Sequence, residues 1–240
     1  MYIDKNVKII DLGLYLEKQD LLIVGDIHLG YEESLNNRGI LVPRFQYKET
    51  VEKMKKMLDN VKPKKILING DLKHEFGSIM SYEWKNVLNF IDFLQERCQE
   101  LIIIKGNHDV ILEPITKKKG ILLIPYYKID EYFICHGDKI FEEIDSKVII
   151  IGNEHPAISL SKDGRKELYK CFLKGRYKKK KLIIMPSFNM LTIGSDIFQE
   201  KRLSPYIPKD LSKFKVYVAE DKIYNFGEVK NIKNYVRRTV

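Results

Sequence analysis

The 240-residue chain has three cysteines, Cys98, Cys135 and Cys171, an odd number, widely separated and without a C-x-x-C pair. That excludes a disulfide framework and a thiolate zinc site, and it reads as buried thiols in a reducing cytoplasm. No stretch approaches the ~18 uninterrupted apolar residues of a membrane-spanning helix, and Met1, Tyr2, Ile3, Asp4 and Lys5 lack the basic-then-apolar plan of a signal peptide. Membrane insertion and export are not expected. The chain also lacks low-complexity segments, Pro/Gly/Ser linkers and internal repeats. One domain over residues 1–240 is therefore expected, a length that buries a full core unaided.

What is present is an excess of positive charge, +9, part of it in runs such as Lys117 to Lys119 and Lys178 to Lys181. It suits a polyanionic partner, although such runs also serve as solvated faces. The first half alternates apolar and amphipathic stretches: Leu21 to Val24, Tyr47 to Val61, Lys65 to Ile68, Ser81 to Cys98 and Leu101 to Ile104. This is a strand–helix–strand–helix–strand rhythm. Val51, Met54, Met57, Leu58 and Val61 recur at helical spacing, as do Trp84, Val87, Leu88, Ile91 and Leu94, and Ser81 is a candidate cap.

The second half is richer in short β segments, Glu131 to Cys135, Val148 to Ile151, Ala157 to Leu160, Glu167 to Leu173, Leu182 to Met185, Lys215 to Val218 and Lys222 to Phe226, with turn signals such as Lys162-Asp163-Gly164. Crossover helices followed by antiparallel strands predict an α/β fold of two sheets packed face to face with helices outside, and the chemistry should lie at the strand ends.

All five histidines, His28, His74, His108, His136 and His155, fall just past an expected strand beside Asp, Asn or Gly. Asp26-Ile27-His28 puts a carboxylate and an imidazole where both can meet one divalent transition ion. Gly70-Asp71-Leu72-Lys73-His74 presents a carboxylate from a tight turn, with room for two cations. In Gly106-Asn107-His108-Asp109 the amide oxygen is a hard ligand, the imidazole is an acid or electrostatic stabiliser, and Asp109 is expected to orient it. His136-Gly137-Asp138 and Gly152-Asn153-Glu154-His155 complete the set.

Taken in order, these motifs resemble the calcineurin-like metallophosphoesterase superfamily. Gly30-Tyr31-Glu32-Glu33, Arg38-Gly39-Ile40, Pro43-Arg44-Phe45-Gln46 and Glu154-His155-Pro156 look like archaeal phosphoesterases related to the SbcD nuclease. The resemblance implies a four-layer α/β/β/α sandwich of two mixed β-sheets. It also implies two divalent ions, manganese first with nickel, iron or zinc as alternatives, that share one carboxylate and one solvent oxygen, whose hydroxide attacks phosphorus. By that pattern Asp26, His28 and His155 hold one ion, Asp71 bridges, and Asn107 and His136 hold the other with the residue at position 153. The family has histidine there and this chain has Asn153, a poorer ligand, which weakens the second site; Glu154 is the nearest carboxylate that could compensate.

The resemblance further implies His108 as transition-state stabiliser or acid, with Asp109 fixing its tautomer, and His74 as a second group on the substrate. Arg38 and Arg44 are candidates for phosphate, with Glu32 and Glu33 available to pair with them instead. Pro186-Ser187-Phe188-Asn189 matches a loop of the same subfamily near the site. The expected activity is hydrolysis of a phosphodiester in a nucleotide or nucleic acid, and homodimers are common among such proteins. Competing expectations are a metal-binding scaffold that has lost catalysis, motivated by Asn153, and a DNA nuclease subunit with a partner. Nucleases of the latter kind carry an added capping domain, for which a short C-terminal hairpin and the basic tail Arg237-Arg238 are not expected to leave room.

Overall fold

The computed structural model describes the chain apart from residues 76–80, 110, 163–164, 200 and 233–240, and only the backbone of 81, 82 and 162. The expected turn at Asp163-Gly164, the cap at Ser81 and the tail Arg237-Arg238 lie outside the described residues. A seven-stranded sheet opens with the antiparallel run β1 (Tyr2–Asp4), β2 (Val7–Ile10), β3 (Gly13–Leu16) and β4 (Leu21–Val24). Helices α1 (Tyr31–Asn37) and α2 (Gln46–Val61) follow, then β5 (Lys65–Asn69), α3 (Ser81–Gln95), β6 (Glu100–Ile104), α4 (Glu113–Lys118) and β7 (Leu122–Ile124). Strands β4 to β7 are mutually parallel, so the crossover helices return each strand to the same end of the sheet.

The second sheet is mixed. It contains β8 (Tyr126–Ile129), β9 (Tyr132–Cys135), β10 (Val148–Ile151), β11 (Pro156–Lys162), β12 (Arg165–Tyr177), β13 (Lys180–Ile184) and β14 (Ser195–Asp196), joined through β12 by β15 (Lys215–Ala219) and β16 (Ile223–Glu228). Strands β9, β10 and β13 run parallel, whereas β11, β13 and β15 each pair antiparallel with β12.

Alternation explains how one chain makes two sheets with two buried faces. Ile134 and Ile150 belong to the core shared with the first sheet, while their neighbours Phe133, Cys135, Ile149 and Ile151 belong to a second core on the opposite face. The shared core takes in Met54, Met57 and Leu58 of α2 and Val87, Phe90, Ile91 and Leu94 of α3. Over the outer core lie Ile197, Tyr206, Ile207, Leu211 and Phe214, with Val229 and Ile232 of a helical turn at 229–232. Cys135 and Cys171 are buried thiols; Cys98 is only partly covered. Among the described residues no helix is long and apolar enough to cross a membrane.

Candidate metal centre

Strands β4, β5, β6, β9 and β10 all end at one edge where the two sheets face each other, and the polar residues of the five motifs follow them. Asp26, His28, Asp71, Asn153 and His155 have φ between 48° and 55°, the left-handed region, which disfavours most L side chains. Asp, Asn and His tolerate it best. Five such residues at one sheet edge store strain that the surrounding packing must hold in place.

The Asp71 carboxylate is the hub. Its Oδ2 lies 3.6 Å from His28 Nε2, 3.4 Å from His136 Nε2 and 3.8 Å from His108 Nε2. Asp26 Oδ1 is 3.0 Å from His155 Nε2 and 3.6 Å from His136 Nδ1, and both Asp26 oxygens accept the backbone N–H of Asn153 at 3.1 to 3.2 Å. Asp26, Asp71 and His136 are almost wholly enclosed. Potential donor atoms converge in three sets: Asp26, His28 and His155; Asp26, Asp71 and His136; and His28, His74 and His108.

The bonding of His136 tests whether a cation fits. Its Nδ1 faces the carbonyl of Asn69 at 3.3 Å, and a carbonyl only accepts, so that nitrogen carries the proton. Nε2 then turns a lone pair toward Asn107 Oδ1 at 3.0 Å and Asp71 Oδ2, themselves acceptors. Three acceptors pointed at one spot require a cation between them. Without a metal a second proton serves, so that against the cost of burial the Asp71 and Asp26 carboxylates push the His136 imidazole up to about 10. Against its own burial, Asp71 is pulled below the usual carboxylate range by His136, with His28 and His108 adding to it. His28 is depressed to about 3 and His74 to about 4, chiefly by burial, so both are neutral ligands or acceptors at pH 7. His155 Nε2 is buried and, though 3.0 Å from Asp26 Oδ1, forms no hydrogen bond among the described residues. This donor set of imidazoles, carboxylates and an amide oxygen suits divalent ions of the manganese-to-zinc range.

Small residues make the convergence feasible. A Cβ on Gly106 would stand 2.1 Å from Asp71 Oδ1, one on Gly152 2.4 Å from Asp26 Oδ2, and one on Gly70 2.3 Å from His136 Nδ1. The glycine in each motif is the space the neighbouring motif's side chain occupies.

The structure reassigns two residues. Asp109 was expected to orient His108; instead the His108 Nδ1–H donates to the carbonyl of His74. The Asp109 carboxylate, fully buried, accepts the backbone N–H of Gly106 at 3.0 Å, Lys73 at 3.3 Å and Leu72 at 3.4 Å. It ties the Asp71 and Asn107 turns together, and burial followed by the nearby Asp71 charge raises it to about 7. Asp109→Ala would strand three buried donors and cost about 2–4 kcal/mol of stability, read as a fall in Tm. Glu154 joins none of the donor sets found among the described residues: its Oε2 accepts the N–H groups of Leu203 and Ser204, at 2.8 and 3.0 Å. Asn153 is brought to Asp26 through its backbone.

His74 lies with His28 and His108, at ring-centroid distances of 5.4 and 5.5 Å, with Tyr31 against its edge at 4.6 Å. Glu83, in the first turn of α3, accepts the N–H of His74 and Glu75 and so fixes that turn. Arg38 caps α1, is exposed, and its charge acts on His74. Arg44 pairs with Glu33 at 2.9 Å. Pattern reading missed the supports of this loop: Glu32 accepts the N–H of Phe45 and Gln46, and the Gln46 amide donates to the carbonyl of His28 at 2.8 Å. Their signal was polar residues at helical positions that turn out buried.

Facing sheets with shared carboxylates at their strand ends define a metal-dependent phosphoesterase. The chain belongs to the calcineurin-like phosphoesterase family, whose profile matches residues 20–219. Among solved structures the chain is similar to the nuclease MPE of Pseudomonas putida, with a TM-score of 0.65 at 17% identity over 90% of this chain and 92% of that one. A weaker likeness is to YfcE, a phosphoesterase from E. coli, with a TM-score of 0.39 at 11% identity over 84% and 88% of the two chains. No curated protein matches the sequence.

Proposed function

We propose that the chain is a phosphodiesterase acting on a nucleotide or nucleic acid, with Asp26, His28 and His155 holding one divalent ion, Asn107, His136 and Asn153 the other, and Asp71 bridging. The observation that carries this reading is the Asp71 carboxylate standing 3.4 to 3.8 Å from three imidazole nitrogens that belong to separate motifs. The ions, when bound, supply charge neutralisation at the phosphoryl oxygens and a lowered pKa for the attacking water. The chain supplies the rest. The Asn69 carbonyl and the Asn153 N–H hold His136 and Asp26 in place, so the donor set needs little rearrangement. His108, with Nδ1 committed to the His74 carbonyl, presents Nε2 to the phosphoryl group to stabilise charge or protonate the leaving oxygen. His74, neutral at pH 7, accepts a hydrogen bond from substrate.

A nucleic-acid substrate is supported by the net charge of +9 and by the kinship of fold with a nuclease. Hydrolysis of bis(p-nitrophenyl) phosphate should appear with Mn²⁺ or Ni²⁺ and vanish on chelation; turnover that survives full chelation rules the reading out. Arg38→Ala should raise KM about three- to tenfold for an oligonucleotide with little change in kcat, as expected for a contact that binds ground and transition states alike. An unchanged KM removes Arg38 from the substrate site.

A further inference from the structure

The segment Pro186 to Asn189 takes no part in the chemistry above, yet it touches the centre from behind. The Phe188 N–H donates to the carbonyl of Gly25 at 2.9 Å, immediately before Asp26, and further on Ser195 N–H donates to the carbonyl of His155 at 2.8 Å. The segment itself therefore braces the turn that carries Asp26, and the chain beyond it, at Ser195, braces His155. Lys170 is what holds it. Its ammonium donates to the Ser187 carbonyl at 2.7 Å, the Ser187 hydroxyl at 2.9 Å and the Asn189 carbonyl at 2.8 Å, using all three of its protons.

Lys170 also occupies a junction in the sheet. It is the last residue of β12 paired with β11, opposite Ala157 and so two residues beyond His155; from Cys171 onward β12 pairs with β15. Burial pulls the ammonium down to about 7 and Lys53 adds to that, while Asp26 is the charge that favours it. A half-buried lysine that commits all three protons is costly unless its geometry is used. We propose that Lys170 is a positioning residue for the first metal subsite: by clamping Ser187 and Asn189 it fixes the Phe188 N–H on the Gly25 carbonyl, and from its place opposite Ala157 it ties that loop to the strand that starts just after His155, and so sets the separation of Asp26 from His155.

The inference rests on the two-ion reading of the centre, and metal binding by the wild-type chain tests that reading separately: a wild-type protein that binds no ion sinks the reading itself. Titration of metal-free protein with Mn²⁺, followed by calorimetry, resolves the ion affinities. In Lys170→Met, which keeps length and loses the charge, the first ion should bind at least about tenfold more weakly while the second keeps its affinity, and Lys170→Arg should restore part of the loss. Ser187→Ala, which removes one of three acceptors and folds more safely, should give a smaller loss at the same ion. Unchanged affinity for both ions in either variant overturns the proposal. So does an equal weakening of both that tracks the fall in Tm of the metal-free protein, because that is what a merely structural lysine would give.

Discussion

Asp71→Ala should cut turnover of bis(p-nitrophenyl) phosphate about 10³-fold or more, because its carboxylate stands between imidazoles assigned to both ions. The carboxylate stands within 3.8 Å of His28, His108 and His136, and its Oδ1 also accepts the N–H of His108 at 3.0 Å. Its removal leaves His136 without the hydrogen-bond partner that raises its pKa most. Asp71→Asn separates charge from shape: the amide keeps the volume but offers one acceptor oxygen in place of two anionic ones, and an ion count by mass spectrometry should fall with it. Activity of either variant near the wild-type level would remove Asp71 from the reaction.

Gly106→Ala should be nearly as severe, although the change adds one methyl group to a residue that does no chemistry. That methyl would meet Asp71 Oδ1 at 2.1 Å and the Asp71 backbone nitrogen at 2.4 Å. The backbone nitrogen cannot swing aside, so the Asp71 turn or the Gly106 turn must move. A displacement of about 1 Å at a reacting group costs on the order of 10²-fold in rate, and overpacking costs about 1–3 kcal/mol of stability. Gly120→Ala is the matched control. Gly120 has φ 65° and open space around its missing side chain, so it should lose about 1 kcal/mol and no activity. If Gly106→Ala turns over substrate as fast as Gly120→Ala, the packing of glycine against Asp71 is not what holds the centre together.

Much of this site was legible because its signals are local. Asp26-Ile27-His28, Gly70-Asp71 and Gly106-Asn107-His108-Asp109 each close a strand that the apolar runs before them already marked, and β4, β5, β6 and β10 lie where those runs lie. The opening strands β1, β2 and β3 were not legible. Their apolar residues alternate over only three or four positions, too few to separate strand from turn, and it is burial against the shared core that makes them a sheet. Helix α1 escaped notice for a related reason: its seven residues, Tyr31–Asn37, carry two acidic and three amide or hydroxyl side chains, with no apolar stripe to reveal it.

Roles proved harder than positions. Asp109 follows His108 in sequence, which suggested that it serves that imidazole, but the chain turns there and aims the carboxylate at the amides of Gly106, Leu72 and Lys73. Glu154 sits between Asn153 and His155, yet its carboxylate is taken up by the amides of Leu203 and Ser204.

The order and type of the residues that gather at the sheet edge were set by the sequence itself, because strand ends and the glycines, histidines and acids after them are short-range patterns. Which acceptor each proton meets, which carboxylate lies against which glycine, and how Lys170 reaches Asn189 were decided only by the tertiary structure. Most of those contacts join residues from 19 to 127 positions apart, and their distances depend on how two sheets pack rather than on any spacing along the chain.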